Sequence, residues 1–215
     1  MDHSNTIARL FLDGKEEEAY HFLQTAQTPF DRLQSFEQVL TPAMYYIGEL
    51  WEKNEITVAD EHLATAVCDF LLSKLDSRVE SAGREGDKKV LLFGVEEEQH
   101  YLGLKMVASV FREYGWKVRY LGPNLPIDHA KQQIDVYKPD VIGISASLSY
   151  RLPTLKNVVA SLISLNWKPT ILLGGRMTKE YDLSAMFANE VLIMDGLETL
   201  QYWLEEEQTK IDATS

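Results

Sequence analysis

His100 is the side chain in this sequence best suited to hold a metal through a neutral ring nitrogen. It stands in the stretch Gly94-Val95-Glu96-Glu97-Glu98-Gln99-His100-Tyr101-Leu102-Gly103. An imidazole can coordinate through one nitrogen while a carboxylate holds the other and fixes the tautomer, and Glu98, two residues earlier, suits that role. Gly103 is expected to let the following helix approach closely. Ser145-Ala146-Ser147-Leu148-Ser149-Tyr150 offers hydroxyls to a ligand, and Leu173-Gly174-Gly175-Arg176 leaves room where side chains are missing. Neither GxGxxG nor GxxxxGKS is present, so no dinucleotide or triphosphate cradle is indicated. HExxH, paired i, i+4 histidines and a Ser/His/Asp or Cys/His arrangement are also missing, which argues against hydrolytic chemistry. A single histidine ligand implies a cofactor that brings the metal's other ligands with it; a solvent-exposed loop histidine is the plain alternative.

These residues must be positioned by strand ends. A stretch rich in glycine and small or charged residues at 81–88 predicts a linker between a domain over residues 1–82 and another over residues 88–215. The first reads as helices at Asn5 to Leu12, Lys15 to Thr25, Asp31 to Leu40, Thr41-Pro42 through Trp51, and Thr57 to about Glu80. In the last of these Leu63, Val67, Phe70, Leu71 and Leu75 predict a packing stripe. The second alternates apolar strands at Lys89 to Gly94, Lys117 to Leu121, Val141 to Ser145, Thr170 to Leu173 and Val191 to Met194 with helices. The helices are expected at Leu102 to Tyr114, Ile127 to Tyr137, Leu155 to Leu165, Lys179 to Phe187 and Leu197 to Glu207. This predicts an α/β protein: an N-terminal helical bundle followed by a five-stranded parallel, doubly wound sheet. Ligands of such sheets sit at the carboxyl ends of the strands, where His100, the serines and the paired glycines fall.

The 215 residues, 45% of them hydrophobic, suffice to bury roughly 70% of the unfolded surface without disulfides. The lone Cys68 and the lack of a secretory pattern point to a cytoplasmic setting, and the longest apolar runs fall far short of a membrane span. With 21 basic against 33 acidic residues, and no basic cluster, direct nucleic-acid binding is not expected. The acidic triplets at Glu16 to Glu18 and Glu205 to Glu207 read as solvated faces.

Glu98-x-His100-x-x-Gly103, then 41 residues to Ser145-x-Ser147, then 26 residues to Gly174-Gly175, resembles the cobalamin-binding motif of methionine synthase, corrinoid methyltransferase proteins and cobalamin-dependent regulators. The resemblance implies a Rossmann-like, flavodoxin-like domain. In it His100 replaces the cofactor's own base as the lower axial ligand of cobalt, Glu98 supports the imidazole, and Ser145, Ser147, Gly174 and Gly175 line a channel for the nucleotide tail. The sequence departs from the pattern in having Glu98 for the commoner Asp and Ser147 for Leu.

The N-terminal half adds Trp51, nine intervening residues, then Glu61-His62, and later the run Gly115-Trp116-Lys117-Val118-Arg119-Tyr120-Leu121-Gly122-Pro123. Both resemble the light-sensing cobalamin proteins, in which the bundle caps the upper face of the corrin. The resemblance implies that Trp51, Glu61 and His62 enclose the adenosyl group of adenosylcobalamin. Members of that group carry a histidine after the Trp, where this chain has Glu52, so His62 is the candidate for a replacement ligand after photolysis. They also carry a DNA-binding domain ahead of the bundle, whereas this sequence opens on the bundle.

The expected function is a light sensor or regulatory protein that signals through a protein partner or homo-oligomerisation, rather than an enzyme. The alternatives are a corrinoid carrier that takes methylcobalamin and exchanges methyl groups, and a light-independent cobalamin sensor or storage protein.

Overall fold

The computed structural model describes residues 3–25, 31–76, 87–187 and 190–212. The chain forms two compact units, Met1–Val79 and Glu80–Ser215. Residues 81–86 of the expected linker lie outside the described residues.

In the first unit, α1 (His3–Leu12) turns into α2 (Glu16–Thr25) at Gly14, whose φ of +67° is free of Cβ strain only in glycine. Lys15 N–H closes the turn on the Leu10 carbonyl at 2.9 Å. Asp31 caps α3 (Arg32–Gln34), accepting the Gln34 N–H at 2.7 Å. The helix expected to open at Thr41-Pro42 does begin at Thr41, with Pro42 in its first turn, but no break precedes it. Instead α3 passes through a π-helical segment, Ser35–Leu40, directly into α4 (Thr41–Glu52). The Thr41 N–H donates to the Phe36 carbonyl, five residues back. This widened turn lets Pro42, which has no N–H to give, sit within a continuous helix.

Asn54, with φ +57°, stops α4, and Thr57 opens α5 (Val58–Asp76) through reciprocal bonds with Asp60 at 2.8 and 3.3 Å. The continuation expected to Glu80 lies outside the described residues. The buried stripe of α5 is Ala64, Val67, Cys68, Leu71 and Leu72. Leu63 and Phe70, expected in that stripe, are exposed. Each sits one position, about 100°, from a buried residue of the stripe, Ala64 and Leu71 respectively, in a helix that packs against α1, α2 and α4.

The second unit is an all-parallel sheet of β1 (Lys89–Gly94), β2 (Lys117–Tyr120), β3 (Val141–Ser145), β4 (Thr170–Gly174) and β5 (Leu192–Met194), in the order β2-β1-β3-β4-β5. The connections are α6 (Leu102–Glu113), α7 (Ile127–Tyr137), α8 (Leu152–Ile163), and the short α9 (Met177–Glu180) and α10 (Leu183–Met186); α11 (Leu197–Asp212) follows β5. Alternation along the strands divides the core. Leu91, Phe93, Ile142, Ile144, Ile171 and Leu173 pack with α7 and α8. On the remaining face Phe111 of α6 meets Trp116 and Trp203 edge to face at 5.3 and 6.4 Å. A Cβ on Gly143 would come within 2.4 Å of Leu92, so bare backbone in β3 makes room for its neighbour's side chain.

The helix expected at Lys179 to Phe187 is in fact two. Tyr181 is extended (φ −130°, ψ 144°), and the Asp182 carboxylate caps a fresh turn by accepting Ala185 N–H at 3.1 Å. Among the described residues no helix is long and apolar enough to cross a membrane.

Candidate functional site

The strand order reverses between β1 and β3, so their carboxyl ends bound the crevice in which ligands of such sheets bind. Register brings three loops to one level there: Gly94 pairs with Ser145, and Ser145 with Gly174. The loops leaving these residues carry Glu98 and His100, Ser147, and Gly175 with Arg176.

Glu98 organises them. Its carboxylate is fully buried. Oε1 lies 2.6 Å from His100 Nδ1 and accepts the His100 backbone N–H at 2.8 Å, while Oε2 accepts the Ser147 N–H at 2.5 Å. Burial by itself would raise the Glu98 pKa. The donors from His100, side chain and backbone, and from Ser147 outweigh it and hold the carboxyl below the ordinary glutamate range. The loop is secured from the far side by Asn124 (φ +55°), whose N–H donates to the Glu98 carbonyl at 2.9 Å and whose Oδ1 accepts Glu97 N–H at 2.7 Å. Arg151 pairs with the Glu97 carboxylate.

The imidazole is half exposed. Its Nε2 lies 2.8 Å from Arg176 Nη2. A guanidinium can only donate, so Nε2 is the acceptor and Nδ1 carries the hydrogen that faces Glu98. That tautomer leaves the Nε2 lone pair as the metal-binding position. Among the described residues no three His, Cys, Asp or Glu side chains converge to hold a metal ion. His100 thus offers a single ligand, which fits a metal-bearing cofactor that would supply the metal's other ligands itself.

The glycines divide by role. Gly175 has φ +106°, and a Cβ there would meet the Ala146 carbonyl oxygen at 2.2 Å, so the turn requires glycine for its own backbone. At Gly174 a Cβ would make only an ordinary contact, 3.5 Å from the Met194 carbonyl oxygen. Around Gly103 nothing lies within 4 Å of an added Cβ, so close helix packing is not its purpose and the space beside it is open. Ser145 and Ser147 are buried, and their hydroxyls make no hydrogen bond among the described residues.

Three predicted residues belong to the other unit. Trp51 lies in the last turn of α4 and is 49% exposed. Glu61 lies in the first turn of α5, so both sit at the end of the helical unit where residues 53–57 join these helices. Glu61 Oε1 accepts a bond from Thr65 Oγ1 at 2.8 Å, and His62 faces solvent with Nε2 3.8 Å from Glu61 Oε2. Sequence reasoning assigned no role to Arg176, Asn124 or Arg151. The first directly follows the paired glycines and the second follows Gly122-Pro123, but neither position reveals its cross-loop partner.

A B12 binding domain model matches residues 88–200, and a second B12 binding domain model matches residues 4–75, the helical part. The chain is 32% identical over 117 residues to the HTH-type transcriptional repressor CarH of Myxococcus xanthus, a match covering 54% of this chain and 38% of that protein. It is 23% identical over 186 residues to a corrinoid protein of Desulfitobacterium hafniense, covering 84% of this chain and 86% of the relative. The fold is similar to that of the Methanosarcina barkeri monomethylamine corrinoid protein, with a TM-score of 0.75 at 14% identity over 93% of this chain and 96% of that one. With the family model matched along more than half its length, the chain belongs to the B12 binding domain family and is a cobalamin-binding protein.

Proposed function

We propose that this chain is a light-responsive regulatory protein that binds adenosylcobalamin with His100 Nε2 as the lower axial ligand of cobalt. The observation that carries the binding mode is the Glu98–His100 pair, 2.6 Å apart, which presents an unprotonated Nε2 at the crevice. Glu98 holds the ring hydrogen on Nδ1 and keeps the imidazole oriented. Ser145 and Ser147 offer hydroxyls to the nucleotide tail, and the bare backbone at Gly103 and Gly174 leaves it room. When bound, adenosylcobalamin supplies a weak cobalt–carbon bond that visible light breaks.

Trp51 supports the choice of light over methyl transfer. A half-exposed indole followed at fixed spacing by Glu61 and His62 offers an apolar wall and two polar groups to an adenosyl substituent. We assign these three residues to the upper ligand. Loss of that ligand would uncover apolar surface on Trp51 at a cost of roughly 25 cal/mol per Å², which would bias the helical unit toward a second arrangement. Output then passes through a protein partner or a second copy of the chain.

The test is the absorption spectrum of the protein with adenosylcobalamin, before and after green light, together with its oligomeric state. A base-off, His-on spectrum that His100→Ala abolishes supports the binding mode, and a change of spectrum and assembly on illumination supports the sensor. A spectrum and assembly indifferent to light overturn it.

One observation favours a second reading: the similarity to a corrinoid protein spans 86% of that relative's length. A corrinoid carrier would bind methylcobalamin tightly and pass its methyl group to a partner methyltransferase, with no response to light.

A further inference from the structure

His100 Nε2, the nitrogen assigned to cobalt, already has a partner in this chain. Arg176 Nη2 lies 2.8 Å from it, and among the described residues His100 is the only hydrogen-bond partner of the Arg176 guanidinium. Both ends of the contact are anchored. The imidazole is fixed from behind by the buried Glu98 carboxylate. The Arg176 backbone is set by Gly175, whose φ of +106° and contact with Ala146 allow no side chain, and by Met177, which is fully buried at the start of α9. The guanidinium is therefore held against the ring by the architecture on either side of it.

A lone pair accepts one strong partner. A guanidinium hydrogen and a metal ion compete for the same orbital, and a positive charge 2.8 Å from that nitrogen also repels a cation approaching it. From this we infer that Arg176 is an internal competitor for the cobalt position. It satisfies Nε2 and must swing away before the metal bonds, so it sets how readily the protein takes up cobalamin. The inference rests on the assignment of His100 as the cobalt ligand. Arg176 acts through His100 and is a positioning residue.

If Arg176 holds Nε2 most of the time, only the minor, uncovered fraction of the protein is competent to coordinate, and the apparent affinity falls by that fraction. A hydrogen bond from a charged donor corresponds to a fraction of about one tenth. Arg176→Met keeps the apolar stem and deletes the donor. The full chain and this variant are to be titrated in the dark with adenosylcobalamin, following the His-on absorption. In the corrinoid-free proteins the ¹⁵N resonance of His100 Nε2 is to be read by NMR. The expected results are an apparent Kd about tenfold lower in the variant and a displaced Nε2 resonance. Near-UV circular dichroism matching the wild type establishes that the variant is folded, and Arg176→Gln, measured identically, replaces it if it is not. Equal or weaker binding, or an unmoved resonance, overturns the inference while leaving the ligand assignment intact. A wild-type His-on spectrum that does not depend on His100 overturns both.

Discussion

Glu98 Oε2 accepts the Ser147 backbone N–H at 2.5 Å, so the carboxylate that holds the imidazole also ties the loop after β1 to the loop after β3. Positioning of the ligand and closure of the crevice thus share one buried side chain. Removing it disturbs both, which separates Glu98 from a residue that acts on the cofactor alone.

Glu98→Gln retains the volume but replaces one acceptor oxygen with an amide donor, leaving Ser147 N–H or the His100 donors facing it. The expected loss of stability is about 1–3 kcal/mol, read by urea unfolding of the corrinoid-free protein. His-on absorption with cobalamin should weaken in parallel.

The same carboxylate gives a pH dependence whose sign follows from its lowered pKa. A carboxyl that binds protons less readily folded than unfolded stabilises the protein above the unfolded value, and the contribution is lost as pH falls through the folded value. Wild-type stability should therefore decline below about pH 4.3 more steeply than that of Glu98→Gln. Parallel acid-unfolding curves for the two proteins would refute this.

Two glycine substitutions should behave oppositely. Gly175→Ala forces a side chain onto the Ala146 carbonyl at φ +106°, and is expected to cost more than about 2 kcal/mol in thermal or urea unfolding. Gly103→Ala meets nothing within 4 Å and should leave stability equal or slightly raised, as expected near the start of a helix. A tenfold or greater loss of cobalamin affinity in Gly103→Ala with an unchanged Tm would assign the open space to the cofactor.

Trp51→Ala removes an indole that is 49% exposed and should shift stability by less than about 1 kcal/mol. If Trp51 meets the upper ligand, the variant should keep its His100-dependent dark spectrum yet lose the light-driven change in assembly. A retained light response in size-exclusion chromatography would remove Trp51 from the proposed sensor.

Much of this architecture is legible in the chain because local and global signals agree. The bounds of β1 and β3 follow from apolar runs that end on Gly94 and Ser145, α7 ends where Lys138 turns left-handed, and the Thr57–Asp60 cap was readable from two residue types at the right spacing. The failures are tertiary. Nothing local marks Leu63 and Phe70 as exposed; only packing decides that α5 turns Ala64, Val67, Cys68, Leu71 and Leu72 inward. The break at Tyr181 depends on a cap that Asp182 makes only once the chain has turned. In the site, the Glu98–His100 pair is two residues apart and could be anticipated. The Arg176–His100 contact is set by strand register across 76 positions and could not.

The widened turn at Ser35–Leu40 bears on how the indole of Trp51 gets its heading. One surplus residue in a uniform α-helix would rotate everything downstream by about 100°, and the widened turn takes up that rotation. Trimming a single residue there would restore a uniform pitch along residues 32–52 and leave Trp51 near its present bearing against the Asp31 cap, whereas tightening the turn without a deletion would swing it away by about 100°. The azimuth of that ring thus depends on residue count and turn width together: a variant shorter by one keeps the indole's heading, and one of full length that loses the widened turn does not.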